Sequence, residues 1–136
     1  MAELARDSLD YPVIDLPNSV AGSPESVILF MIGTLVEQGR LSEDHAARAA
    51  CQVVRREHQG STALGRGAAL PHAKSEVPGV IGLIGRSPTS LQWQTPDGVP
   101  VREACLLLTP AAQPGVGFQA LQEAGAVLSS TSRECA

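Results

Sequence analysis

The chain changes from helical to strand-like spacing within residues 56–72, which read REHQGSTALGRGAALPH. Glycines interrupt residues 60–67, so we predict a loop there. The apolar residues 68–70 predict a short strand, which leads directly into Pro71 and His72. The segment therefore joins a mainly helical first half of the chain to a second half built around strands.

The residues before this segment predict one short strand and two helices. The strand candidate is residues 12–16. The first helix begins at Ser23 and Pro24, because serine suits the N-cap and proline the first helical position, and it ends at Gly39. Its apolar side chains recur at helical spacing, at Ile28, Met31, Ile32, Leu35 and Val36. A second helix opens at Leu41 and Ser42, and its inner face is made of small residues, namely Ala46, Ala49, Ala50, Val53 and Val54.

The residues after the segment predict two buried strands and a last helix. Residues 77–85 and 101–109 are apolar on both faces, as in buried strands, and the polar residues 87–100 between them predict a loop. A helix over about 118–128 closes the pattern. Helices that flank buried strands indicate an α/β sandwich. We predict one domain over residues 1–136, with loose tails at 1–11 and 130–136.

Composition predicts an ordinary globular protein without a nucleic-acid signature. The chain is 43% hydrophobic and 18% charged, which is typical of folded domains. One Trp, one Tyr, two Phe and a net charge of −4 offer neither stacking platforms nor a basic surface for nucleic acid. The N-terminus lacks a signal-peptide pattern, and the longest apolar run, residues 27–33, is too short for membrane insertion. We therefore expect a soluble, cytoplasmic protein.

Three widely spaced cysteines predict reduced thiols. Cys51, Cys105 and Cys135 form no Cys-x-x-Cys pair and have no neighbouring histidine that would complete a zinc pattern. Apolar neighbours predict that Cys51 and Cys105 are buried, while Cys135 falls in the tail.

His72 is the candidate nucleophile of the chain. A neutral imidazole attacks well near neutral pH, because its reference pKa is about 6.5. Arg56 offers a permanently charged fork that suits phosphate. His45 and His58 are expected to be solvated helix residues.

The loop before His72 predicts a site for one phosphoryl group. Ser61 and Thr62 can donate hydroxyl hydrogen bonds to phosphate oxygens. Gly60, Gly65 and Gly67 let backbone N–H groups approach an anion closely. The glycine spacing matches neither a dinucleotide fingerprint nor a nucleotide P-loop.

Three further side chains are open to two interpretations. Trp93 either faces a partner or caps the edge of the core. Arg66 and Lys74 are expected to be ordinary solvated charges, and the alternative is that one of them screens phosphate or contacts an acidic partner.

The pattern RExxGSTxxGxGxAxPH at residues 56–72 resembles the active-site signature of enzyme IIA proteins of the bacterial phosphotransferase system. The resemblance is to the fructose/mannitol type and its nitrogen-regulatory relatives, and it extends over residues 12–128. It implies the mannitol-type enzyme IIA sandwich, a mixed sheet flanked by helices. It also implies that His72 accepts phosphoryl from the histidine phosphocarrier protein, with Arg56 as charge stabiliser and Ser61 and Thr62 shaping the pocket.

The resemblance implies two kinds of onward partner. A sugar carrier passes the phosphoryl group to a IIB domain, whereas nitrogen-type relatives use their phosphorylation state to regulate other proteins. Neither use implies a metal, a nucleotide or another cofactor.

Two features depart from the family pattern. Family members usually carry a second histidine beside the phosphorylated one, and Gly117 stands at that position, with Phe118 matching the leucine that follows. Relatives also continue with a further strand and helix, so a fold shortened at the C-terminus is expected, with a sheet edge open to a second copy or a partner. Two functions therefore stay open: a phosphohistidine carrier, or a regulatory module with weak or no phosphotransfer.

Overall fold

A computed structural model describes the backbone of residues 9–135 and the side chains of residues 9–129. The described residues form six strands and three α-helices, in the order β1 (Val13–Asp15), α1 (Pro24–Glu37), α2 (Glu43–His58), β2 (Ala63–Gly65), β3 (Ala68–Ala69), β4 (His72–Ser75), β5 (Ile81–Leu91), β6 (Val101–Pro110) and α3 (Pro114–Cys135). A short 3-10 helix, Asn18–Val20, precedes α1.

The strands form one mixed sheet in the order β1-β5-β6-β3-β2, and β4 lies beside β6 beyond the end of β3. The long strands β5 and β6 are antiparallel, whereas β1 runs parallel to β5, and β3 and β4 run parallel to β6. The helices pack on both faces of this sheet. The predicted α/β class, a mixed sheet flanked by helices, is confirmed.

Strand β6 divides the core into two layers because successive side chains of a strand point to opposite faces. Leu106 and Leu108 belong to the apolar cluster formed with α1 and α2. Cys105 and Leu107 belong to the cluster that includes Leu128 of α3. The candidate active site lies where β4, the end of β6 and the start of α3 meet α2.

Helices α1 and α2 begin as the sequence predicts. The Ser23 hydroxyl accepts a hydrogen bond from the N–H of Ser26 at 3.1 Å, and Pro24 is the first helical residue. Ser42 caps α2 in the same way through the N–H of His45. Gly39 follows α1 with a φ of +73°, in the left-handed region that glycine adopts without strain.

The strand boundaries differ from the prediction. Residues 87–91 belong to β5 and not to a loop, because Leu91 pairs again with Val101 after an irregularity in the register. Residues 88–90 are exposed, and their lack of apolar side chains fits an exposed part of a strand as well as a loop. Strand β4 has no apolar signal, and its parallel pairing with β6 is what makes it a strand.

The predicted tails and cysteines have mixed outcomes. Tyr11 packs against the core cluster that includes Ile84, so residues 9–11 are not loose. Residues 1–8 lie outside the described residues, and residues 130–136 lie beyond the last described side chain, Cys135 included. Cys105 is buried as predicted, and desolvation, with the charge of Glu103, raises its pKa to about 12. The prediction for Cys51 is wrong, because it lies on the exposed face of α2.

Candidate active site

His72 is the first residue of β4, which follows β3 after an interruption of the strand at Leu70 and Pro71. Its ring nitrogen Nδ1 lies 2.8 Å from the carbonyl oxygen of Leu70. A carbonyl oxygen can only accept, so Nδ1 carries the hydrogen and donates it. Nε2 is therefore the nitrogen with the free lone pair, and it is the nucleophilic atom that the backbone geometry selects.

The surroundings favour the neutral imidazole of His72. The ring is half-buried, and this desolvation is the main cause that lowers its pKa. The hydrogen bond to Leu70 acts in the opposite direction, the charge of Arg56 lowers the pKa further, and the charge of Glu57 raises it. Because these effects together lower the pKa of His72, the ring is the neutral imidazole at neutral pH, and the lone pair of Nε2 is available.

A cleft of about 580 Å³ opens beside His72, between α2, β4 and the start of α3; we call it the His72 cleft. One wall is polar and cationic, with Gln52, Arg55, Arg56, Gln59 and Lys74. The other wall is mainly apolar, with Pro114, Gly117, Phe118 and Leu121. Within the described part of the chain, no carboxylate lines this cleft. Its charge therefore suits an anion, although the whole chain is acidic.

Arg56 is brought to His72 as the sequence predicts. It lines the His72 cleft and also a smaller pocket on the other side of His72. Its Nη1 donates to the carbonyl oxygen of Gly60 at 2.9 Å, which ties the end of α2 to the following loop. The guanidinium thus holds a defined place while other donor atoms stay available to an anion.

Glu57 is a positioning residue that the sequence reasoning missed. It is buried, and its Oε2 accepts from the N–H of Thr62 and from Nε1 of Trp93, both at 2.9 Å. Its Oε1 accepts from the hydroxyl of Thr62 at 2.6 Å. A buried carboxylate needs several donors to offset its desolvation, and this one joins the loop to α2. The adjacent Arg-Glu pair in the sequence was the available signal.

Trp93 caps the edge of the core, which is the second of its two predicted roles. The ring is half-buried and packs against the core cluster on the α1 and α2 side of the sheet. Its N–H is used by Glu57. An indole N–H that is removed from water needs such an acceptor, so the ring and the carboxylate fix each other.

Ser61 and Thr62 lie near His72, because all three line the smaller pocket. The Ser61 hydroxyl donates to the carbonyl oxygen of Gln94 at 2.6 Å, and the Thr62 hydroxyl donates to Glu57. Both hydroxyl hydrogens are therefore used within the protein in this conformation. Their role as donors to phosphate stays a prediction.

Gly65 and Gly67 lie in the turn between β2 and β3, outside the two pockets that His72 lines. Their φ angles are +87° and +88°, and Arg66 between them has a φ of +58°. The N–H of Arg66 donates to the Asp97 carboxylate at 2.7 Å. The glycines thus shape a hairpin, and their predicted contact with an anion is untested.

Two comparisons with known proteins bear on this geometry. Residues 8–132 match the family model described as phosphoenolpyruvate-dependent sugar phosphotransferase system, EIIA 2. The chain belongs to this EIIA family. No curated protein matched the sequence. Family membership supports a phosphocarrier or regulatory role on this fold, and it covers the strand, loop and helix residues that form the His72 cleft.

Solved structures agree with the EIIA fold. The chain is 28% identical to nitrogen regulatory protein IIA-Ntr from Neisseria meningitidis, with a TM-score of 0.71 over 87% of this chain and 77% of that one. Enzyme IIAMTL from Escherichia coli, solved in complex with phosphorylated enzyme IIBMTL, is 14% identical, with a TM-score of 0.58 over 88% and 90%. The mannitol-specific cryptic enzyme IIA CmtB from Escherichia coli is 19% identical, with a TM-score of 0.54 over 90% and 86%.

This EIIA domain has no room for a side chain at Gly117. A Cβ atom there would lie 2.8 Å from Cβ of Thr109 and 3.0 Å from its Oγ1. Thr109 is buried in β6 and cannot move aside freely. The glycine is therefore part of how α3 packs on the sheet, and a side chain such as the histidine expected at this position does not fit this backbone.

Two other properties of the described residues concern ligands and membranes. Within residues 9–135, no group of three His, Cys, Asp or Glu side chains is arranged to hold a metal ion. In the same part of the chain, no helix is long and apolar enough to cross a bilayer.

Proposed function

We propose that this EIIA domain accepts a phosphoryl group on Nε2 of His72 and passes it to a second protein. The observation that carries the proposal is the hydrogen bond from Nδ1 of His72 to the Leu70 carbonyl oxygen, which leaves Nε2 unprotonated. The cationic wall of the His72 cleft supports it, since a phosphoryl group brings negative charge.

The transfer needs no proton to move at His72. The lone pair of Nε2 attacks phosphorus, and the bond from phosphorus to a donor imidazole breaks, with its electron pair returning to the donor nitrogen. The hydrogen stays on Nδ1, which donates it to the Leu70 carbonyl oxygen, and this hydrogen bond orients the ring in both states. Arg56 binds the negative oxygens and holds the phosphoryl group in line between the two imidazoles, so the transfer depends on positioning and electrostatics.

The proposed donor is the histidine phosphocarrier protein, and the proposed acceptor is a IIB domain. The fold match to an EIIA protein solved with its phosphorylated IIB partner supports this kind of acceptor. The His72 cleft would receive the partner's phosphorylated group, and the exposed Phe118 at its rim offers an apolar contact.

A regulatory role is the second candidate. It is favoured by the similarity to nitrogen regulatory protein IIA-Ntr and by Gly117, which replaces the second family histidine. In this role the phosphorylation state of His72 would control binding to a target protein and would not feed a sugar transporter. The two candidates share the acceptor histidine and differ in the protein that responds to its phosphorylation.

Intact-mass spectrometry at neutral or alkaline pH tests the acceptor. The protein is incubated with phosphoenolpyruvate, the first enzyme of the system and the histidine phosphocarrier, beside a His72→Ala control. We expect one acid-labile phosphoryl group on the wild type only. A folded wild type that gains none, beside a working positive control, contradicts the proposal. Adding a IIB domain then separates the roles, since a carrier loses the group to it.

A further inference from the structure

Lys74 lies on the same strand as His72, two residues further along β4. Side chains two apart on a strand project from the same face. The burial of β4 follows this rule, because Ala73 and Ser75 are buried while His72 is half-buried and Lys74 is exposed. Both His72 and Lys74 line the His72 cleft.

Gly117 keeps the space above Lys74 open. Lys74 pairs in the parallel ladder with Thr109, and Thr109 is the residue against which Gly117 packs. A side chain at position 117 would project from α3 next to this ladder pair. Because residue 117 has no side chain, α3 adds no side-chain atoms at this position, and Lys74, Thr109 and Gly117 line the same cleft as His72.

The ammonium group of Lys74 is available to bind an anion. Among the described residues, no hydrogen-bond or ion-pair partner occupies its ammonium group. It is also the only lysine among the 136 residues of the sequence. Its four-carbon stem and three donors allow it to turn toward a new anion.

We propose that Lys74 closes on the phosphoryl group of phosphorylated His72 and supplies the stabilising contact that a second histidine cannot make in this chain. The proposal rests on the proposed function only in taking His72 as the acceptor. Among the described residues, Lys74 makes no hydrogen bond or ion pair in the unphosphorylated protein, so the Lys74 contact forms when the phosphoryl group arrives. Arg56 and Lys74 then approach the oxygens from α2 and β4.

A cation beside the phosphoryl group should slow hydrolysis of that group from His72. Hydrolysis of the phosphorus–nitrogen bond passes through a loose transition state, in which the phosphoryl oxygens carry less negative charge than before. Lys74 therefore stabilises the phosphorylated state more than the transition state. At a partly exposed site, removing one such charge is expected to shorten the half-life of the group about fivefold.

The test uses phosphoramidate, a small chemical donor that phosphorylates accessible imidazoles without a protein partner. Site-resolved mass spectrometry at neutral pH follows phosphoryl loss from His72. Groups on the exposed His45 and His58 serve as internal references in the same molecules. We expect Lys74→Gln to shorten the His72 half-life about fivefold and leave both references unchanged. Lys74→Arg should restore the half-life of the wild type. The difference in half-life between the wild type and Lys74→Gln should shrink in 1 M salt, where the Debye length is about 3 Å.

A matched variant removes the same charge elsewhere. Arg66→Gln acts at an exposed hairpin residue outside the cleft. An unchanged half-life in Lys74→Gln overturns the proposal. An equal shortening in Arg66→Gln also overturns it, because the cause is then the general potential and not a Lys74 contact.

The two proposals can fail separately. If phosphoramidate labels His72 but the histidine phosphocarrier does not, the proposed function fails and the half-lives still decide the role of Lys74. If neither reagent labels His72 while both references react, both proposals are overturned.

Discussion

The two walls of the His72 cleft are built by different means. On the α2 side, side-chain hydrogen bonds hold Arg56 of the wall to Gly60, and they hold Thr62 and Trp93 to Glu57, the buried neighbour of Arg56 outside the cleft. On the α3 side, Gly117 packs directly on Thr109, and Phe118 is exposed at the rim. The first wall holds charges in place, and the second brings a helix close to the sheet. His72 therefore sits between a wall fixed by hydrogen bonds and a wall fixed by packing.

Removing Glu57, the acceptor of the hydrogen bonds next to the α2 wall, should have the largest effect on stability. Glu57→Ala leaves buried donors of Thr62 and Trp93 without an acceptor, so we expect a loss of about 3 kcal/mol in the free energy of unfolding. Urea denaturation followed by the fluorescence of Trp93, the only tryptophan, measures it. Glu37→Ala, at the exposed end of α1, is the control and should change little. If Glu57→Ala lowers the free energy of unfolding as little as Glu37→Ala does, the hydrogen bonds to Glu57 do not stabilise this side of the cleft.

One methyl group added to the packed wall on the α3 side should lower the stability of the protein. Gly117→Ala places a Cβ 2.8 Å from Thr109, and we expect a loss of about 1–2 kcal/mol because the neighbouring β6 cannot yield. Gly125 lies on the same helix with nothing within 4 Å of a built Cβ. Gly125→Ala should therefore stabilise the protein by about 0.5–1 kcal/mol through helix propensity. If both variants are stabilised alike in thermal denaturation, close packing at Gly117 is refuted.

The smallest effect should appear in the pH dependence of stability. Burial lowers the pKa of His72 in the folded protein, so the unfolded chain binds the proton first as pH falls. The contribution of neutral His72 is present above about pH 6.5 and is lost as pH drops through that value. Comparing the free energy of unfolding at pH 7.5 and 5.5, we expect a smaller decrease in His72→Gln than in the wild type. An equal decrease would assign the pH dependence to other groups.

The contrast between the walls also explains how far the sequence could predict the site. The sequence predicts His72 and Arg56 as site residues from their residue type and their place in the RExxGSTxxGxGxAxPH pattern, and the structure brings both to one cleft. Glu57 was missed, since a glutamate at the end of a helix is usually solvated and its acceptor role depends on Trp93, 36 residues further along the chain. Gly65 and Gly67 are predicted to approach an anion; their positive φ angles shape a hairpin outside the two pockets that His72 lines, and the contact with an anion stays a prediction.

The sequence by itself determined the class of the fold, the caps of α1 and α2 and the central buried strand, and it singled out His72 as the candidate acceptor. These features depend on local spacing and residue chemistry, which a chain carries before it folds. Only the tertiary structure decided that His72-Ala73-Lys74-Ser75 is a strand, which nitrogen of His72 is free, and that Gly117 is held against Thr109. Each of these depends on atoms that are distant in sequence or on an orientation that no residue type specifies.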